Sequence, residues 1–383
     1  MTRPDGFHLL DSLADIPAAA WDRLADGPPC LSHAFLHGLE RSGAVGPGTG
    51  WLPCHATRWA QGELQAALPL YRKLHSWGEY VFDWAWAEAY ARHGLAYYPK
   101  LLAAVPFTPI PGPRLLGRDP AQRRQLLADV LAHARASGLS SFHLLLPDAQ
   151  ETAWLTETAA ESGLLLRHGV QFHWHNAGYR DFDDFLARLN HDKRKKIRQE
   201  RRRAAAHGLT LNWLDGHDAS AADWAFFHRC YATTYALHRA TPYLNERFFS
   251  EFARQRPDEV RLLIACRGAT PVAAALFLCD RHALYGRYWG ALEPLPFVHF
   301  ELCYYQAIDY CIAHGLARFE GGAQGEHKLS RGLEPVVTHS AHWLADGRFR
   351  DAVDHYLARE TAGIGFYLDE LAERTPFRAA AER

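Results

Sequence analysis

The chain has 383 residues, 48% of them hydrophobic and 13% aromatic, with a formal net charge of −1. That length allows two or three domains with packed cores, and no apolar run approaches the roughly 20 residues a membrane-spanning helix needs. The opening MTRPDGFHLLDSL lacks the basic and apolar segments of a secretory leader, so a cytoplasmic location is expected. Seven cysteines without metal-ligand spacing point to reduced, buried thiols.

In the first half, a strand is expected at 7–10, a helix at 35–41 and paired strands at 52–59 and 64–71. From 80 to 87, Tyr80, Phe82, Trp84 and Trp86 alternate with Val81, Asp83, Ala85 and Ala87. Period-two alternation predicts a strand with four rings on one face, followed by a helical turn at 88–93. Such a face is either core or a groove wall, in which Asp83, Trp84 and Trp86 are candidate substrate contacts. A strand at 101–107, a proline-rich turn at 109–113, a helix at 120–137, a strand at 142–146 and a helix at 148–162 complete a mixed α/β unit.

A strand at 164–175 leads into the second half. His173 and His175 share a strand face there, but no third ligand stands at a telling spacing, so no metal is expected. The stretch NHDKRKKIRQERRRAAAHG then reads as a helix at 190–207, with Asn190 or Asp192 as cap and His207-Gly208 as its end. Between Arg188 and Arg203 lie nine basic residues and two acids, a local +7 against −8 for the rest of the chain. Leu186, Leu189, Ile197 and Ala204 can touch the body of the protein. Lys193, Arg194, Lys195, Lys196, Arg198 and Arg201 are left for solvent or for a polyanion such as transfer RNA or a substrate diphosphate.

Further on, a strand at 284–292 carries Tyr288 and Trp289 as candidate channel residues. Its Gly286 and Gly290 mark a bulge or a close backbone approach. A helix at 300–314 and a strand at 317–320 follow, and the chain then opens into Gly321-Gly322-Ala323-Gln324-Gly325-Glu326-His327-Lys328. So many glycines and ionisable groups at a strand's end make 320–335 a candidate site loop. A C-terminal helix is expected near 349–357.

The strings WGA, HGL and RFEGGAQGEHKLSRGLEP, with YVFDWAWAEAYARHGLAYYPKL and PFTPIPGPRLL earlier, resemble the FemAB-like branch of the GNAT superfamily. The resemblance implies two GNAT-like acyltransferase domains in tandem, an α/β fold of mixed sheets, at 1–170 and 171–383, the second beginning with the basic helix. It also implies transfer of an aminoacyl or acyl group, with aminoacyl-tRNA as donor and a peptide or muropeptide amine as acceptor. By the same resemblance Lys328 would meet the developing oxyanion; Arg331 is expected to serve nearby phosphates or a carboxylate, and Gln324 is a further candidate substrate contact. For the proton acceptor, Glu320, Glu326 and His327 stay open. No cofactor is expected: residues 293–299, EPLPFVH, lack the glycines and, at two prolines, the amides of a coenzyme A pyrophosphate loop. The other readings are an acetyl-CoA-dependent N-acetyltransferase and a non-catalytic module that binds RNA or precursor.

Overall fold

A computed structural model describes residues 3–323 and 325–378. The chain divides into two compact units, one of Met1–Gly169 with Val337–Phe366 and the other of Val170–Val336 with Tyr367–Arg383. Residues 337–366, expected in the second domain, thus pack with the first, because strand β15 (Glu334–Leu344) pairs through its last five residues with β8 (Ser141–Leu145).

The first unit holds strands β1 (Gly6–Leu10), β2 (Trp51–Pro53), β3 (His55–Ala60), β4 (Glu63–Leu68), β5 (Leu70–Lys73), β6 (Lys100–Ala103) and β7 (Leu116–Gly117), besides β8. One sheet runs β1-β3-β4-β7, and a second group runs β15-β8-β6-β5-β2. Helices α1 (Ala18–Asp22), α2 (His33–Arg41), α3 (Trp84–Arg92), α4 (Pro120–Ala136) and α5 (Ala149–Ser162) surround them. Strands β6 and β8 are parallel, so the chain must cross over between them, and α4 makes the crossover. Asp119 caps α4 and Pro120 opens it, while Leu126, Leu127, Val130, Leu131 and Ala134 form its buried stripe.

The expected strand at 80–87 is not one. Tyr80 takes a left-handed φ of 64°, and the chain enters α3 at Trp84. Asp83 sits just before that helix at 4% exposure, where it accepts from Ser76, Tyr97 and Lys100. Lys100 Nζ also donates to Glu79 at 2.8 Å and to Ser76 at 2.9 Å. Beyond Tyr97 lies a buried pair of histidines, His143 and His342, with Nδ1 atoms 2.7 Å apart. These long-range partners override the local alternation.

The second unit contains the end of β9 (Leu165–His175) and strands β10 (Thr210–Asp215), β11 (Val260–Arg267), β12 (Thr270–Cys279), β13 (Ala283–Ala291) and β14 (Arg318–Glu320). Strands β10 to β13 are antiparallel neighbours, β13 and β14 are parallel, and β14 pairs antiparallel with β9. Helices α6 (Phe182–Arg188), α7 (His191–Ala205), α8 (Ala221–Leu237), α9 (Glu246–Gln255), α10 (Val298–Phe300) and α11 (Gln306–Ala313) complete it. The expected helix at 300–314 is interrupted by a π-helical turn, Glu301–Tyr305. A C-terminal helix, α12 (Gly347–Glu373), is much longer than the expected 349–357.

Both glycine readings in β13 are realised. The β12 register shifts from Leu276↔Tyr288 to Phe277↔Gly286, which leaves Arg287 as the bulged residue. At Gly290 a Cβ would lie 2.0 Å from the carbonyl oxygen of Cys230 in α8, a clash between two backbones that no rotamer can relieve. Gly290→Ala is therefore expected to force α8 off the sheet at a cost of about 3 kcal/mol or more. Thermal and urea unfolding would measure it, and a loss below about 1 kcal/mol would show the helix yields freely.

Candidate functional site

Strands β13 and β14 stay paired for only three residues, Ala283↔Arg318, Leu284↔Phe319 and Tyr285↔Glu320. Past that point β13 continues through the bulge to Ala291, while β14 gives way to Gly321-Gly322. The two faces of β13 then diverge in use. Tyr288 packs among Tyr231 and Phe249 under α8 and α9, its hydroxyl held by Arg287 at 2.7 Å. Trp289 faces the other way, its ring 4.8 Å from that of His299.

From His299 a chain of rings continues. His299 lies 5.5 Å from Tyr304, and Tyr304 shares a 3.0 Å hydrogen bond with His327 Nε2. The π-helical turn supplies Tyr304 with one residue more per turn than an α-helix would, a device common at functional sites. Burial first, then the charges of His327, Arg331 and Lys328, bring His299 down to about 4. His327 is also lowered, by burial and then by Arg331 and Lys328. Gly325, at φ 115°, makes room for the ring, since a Cβ there would stand 2.4 Å from His327 Cε1.

Residues Glu326–Arg331 form one 3-10 helical segment. Lys328 turns inward at 2% exposure, its Nζ donating to the Gly322 carbonyl at 2.9 Å, and burial brings it down to about 8. It ties the loop's two ends together. Arg331, expected to meet phosphate or carboxylate, is likewise buried at 3% and donates to both oxygens of Glu200 at 2.9 and 3.1 Å. Its other terminal nitrogen reaches the His327 carbonyl at 2.6 Å, and its plane lies 3.5 Å above the Phe300 ring. Glu200, which also accepts from Tyr305, thus fastens the basic helix to the loop.

Beside this fastening lies a depression of 680 Å³ whose walls include Asn190, the cap of α7, with Lys193, Lys196 and Glu200 of that helix, Phe300, Glu326, His327 and Arg331, and Glu373 and Arg374. Lys193 and Lys196 from the sequence-derived polyanion set are here. The other four, Arg194, Lys195, Arg198 and Arg201, line a separate depression of 590 Å³ with Phe182 and Leu186. Two of these are already paired, Arg198 with Asp183 at 2.9 Å and Arg201 with Glu301 at 3.1 Å.

Of the remaining proton-acceptor candidates, Glu326 lines the same depression as His327, whereas Glu320 does not. Alternation along β14 puts Phe319 and the bare α-carbon of Gly321 on the Lys328 face and turns Glu320 to the other. There Glu320 accepts from Arg318 at 2.9 Å, its second oxygen lies 3.9 Å from His173 without a hydrogen bond, and burial raises it to about 7. Glu326 is exposed and bonded to Tyr367 and Arg374. In the first unit, Asp83 belongs to the Lys100 cluster, Trp86 is buried against His342, and Trp84 is 38% exposed and stacked on Phe82. Gln324 lies outside the described residues. No group of three metal-ligating side chains occurs among the described residues.

His299, Phe300, Tyr304 and the inward Glu200 are site residues that sequence reasoning missed. The first three lie on the helix around the π-helical turn, and their part in the site depends on His327 and Trp289 outside that helix, so no local pattern announces it.

No curated protein sequence matches the chain. Solved structures that share its fold include FemX and two further chains. FemX has a TM-score of 0.54 at 10% identity, over 88% of this chain and 97% of that one. A domain named as the C-terminal part of a lysylphosphatidylglycerol synthetase from Agrobacterium fabrum has a TM-score of 0.53 at 10% identity, over 89% and 95%. A conserved protein of unknown function from Bacteroides thetaiotaomicron has a TM-score of 0.50 at 11% identity, over 88% and 99%. A family model described as peptidoglycan biosynthesis/recognition matches residues 12–379, nearly the whole chain. The chain belongs to the FemAB-like family.

Proposed function

We propose that this FemAB-like acyltransferase moves an aminoacyl group from a tRNA ester to a primary amine of a peptide or muropeptide-like acceptor, at the depression between α7 and the 326–331 segment. One observation carries the reading: Lys193 and Lys196 stand in the same depression as the His327 imidazole. The lysines suit a phosphate-bearing substrate, and the imidazole suits an attacking amine that must lose a proton. In the tautomer that donates Nε2–H to the Tyr304 oxygen, His327 Nδ1 is left as proton acceptor. The amine nitrogen attacks the ester carbonyl, Nδ1 takes the proton from the nitrogen, and the bond between the carbonyl carbon and the ribose oxygen breaks as Nδ1 returns that proton to the leaving oxygen. Lys328 acts as a positioning residue, holding the loop closed through Gly322.

The acetyl-CoA reading has less support. Pro294 and Pro296 offer no amide, the Val298 amide already bonds the Leu295 carbonyl, and Glu293 is paired with Arg267 at 2.6 Å. The test supplies charged tRNA or acetyl-CoA with a pool of amine acceptors and follows the label by mass spectrometry. Transfer from charged tRNA is expected, and Lys193→Ala and Lys196→Ala should each raise KM for the donor roughly tenfold, the worth of one charge-assisted hydrogen bond to phosphate. Label moving only from acetyl-CoA would overturn the reading.

A further inference from the structure

The outward side of α7 continues into a feature the transfer reaction does not use. Beyond Arg201 and Arg202 a slot of 330 Å³ opens, walled by Ala204, Ala205, Leu209, Leu211, Val298 and Leu302, with the Glu301 carboxylate that pairs with Arg201 at its edge. Val298 and Leu302 close its floor at 1% and 0% exposure. The same two arginines border the cationic depression that also carries Arg194, Lys195 and Arg198. Cations and an aliphatic slot therefore share one rim.

We propose that this face docks an anionic phospholipid of a membrane surface, with acyl chain in the slot and phosphate on the arginine and lysine row. A nucleic-acid backbone would account for the row but not for the slot. Single-stranded nucleic acid gains affinity by stacking bases on aromatic platforms, and the slot's walls among the described residues hold no aromatic side chain. Peripheral attachment, by contrast, needs two signals together, an inserted apolar group and a polybasic patch. No helix among the described residues is long and apolar enough to cross a membrane, so such attachment would be from one side. Asp183, paired with Arg198, faces the row from α6, while Glu301 and Asp309 neutralise Arg201, which leaves Arg194, Lys195 and Arg202 as the row's main attraction.

The full chain is sedimented with vesicles of phosphatidylglycerol in phosphatidylcholine, and with phosphatidylcholine alone. Binding is expected to the first only, weakened about 30-fold by the double variant Lys195→Gln with Arg202→Gln, at about 1 kcal/mol per cation. Leu209→Asn, which leaves the charge unchanged, is expected to weaken it about tenfold or more, since the slot loses an apolar wall. Ala205→Gln, on an exposed helix end, repeats that test where Leu209→Asn unfolds the protein. Three outcomes would overturn the proposal: no preference for phosphatidylglycerol, full binding by both slot variants, or displacement of the vesicles by uncharged tRNA with dependence on the row alone. His327→Gln should bind vesicles like the parent, and the two slot variants should keep transfer to a water-soluble acceptor. Failure here is thereby distinguishable from failure of the transfer reaction.

Discussion

His327→Gln is expected to slow acyl transfer by about 10²–10⁴-fold, the usual worth of a positioned general base. Glutamine can keep a hydrogen bond to Tyr304, so the loop should hold its shape and donor binding should change little. The pH profile separates loss of a base from loss of structure. A histidine acts as base only when neutral, so the parent's kcat/KM should rise with pH through the imidazole's pKa and then level. Burial and the charges of Arg331 and Lys328 place that pKa below the ordinary value of 6.5. An amine acceptor adds its own rise at higher pH, which the variant must share. The variant should lack only the acid limb. If it keeps both rate and limb, the proton goes elsewhere, and Glu326, which lines the same depression, becomes the candidate.

Gly325→Ala offers a check on the same atoms without touching the imidazole. The added methyl would meet the His327 ring at 2.4 Å, and a φ of 115° is strained for alanine in any case. A fall in kcat comparable with that of His327→Gln, with the melting temperature nearly unchanged, would mark the ring's position as what matters.

Features carried by short-range chemistry were legible in the sequence. Asn190 caps α7 as expected, its side chain accepting from Lys193 N at 3.0 Å, because an N-cap is decided within three residues. Gly286 and Gly290 announced both a bulge and a close approach, since a missing Cβ is itself the signal. What failed depended on partners far along the chain. Alternation from 80 to 87 fits a strand, yet Asp83 is fixed by Tyr97 and Lys100, and burying that ionic group decides the backbone. Arg331 reads as a phosphate ligand until Glu200, 131 residues away, claims it. Glu200 itself reads as the acid that relieves a cationic helix, whereas the fold buries it to 6% exposure.

The Lys100 cluster carries the largest expected effect on stability. Asp83 and Glu79, both under 5% exposed, depend on the Lys100 ammonium, which is itself fully buried. Lys100→Met keeps the volume but leaves two carboxylates without their cation, and breaking a buried pair from one side costs about 3–5 kcal/mol. Lys73, 3.8 Å from Glu79, compensates in part, though burial lowers it to about 7. The sign of the pH dependence follows from Glu79. Burial raises it from 4.5 to about 7 even with Lys100 present, and Lys100 is the largest influence pulling it down. Without that lysine its folded pKa rises further, so the folded state binds the extra proton between 4.5 and that higher value, and stability falls as pH rises across the window. The deficit of Lys100→Met relative to the parent should therefore be smaller at pH 5 than at pH 8. Because two units need not unfold together, hydrogen exchange of β6 and β8 amides is the proper readout. Equal protection in the variant and the parent at pH 8 would show that Lys73 alone can satisfy both carboxylates. Lys100→Met combined with Asp83→Asn and Glu79→Gln should recover part of the loss, since neutral amides carry no charge to strand.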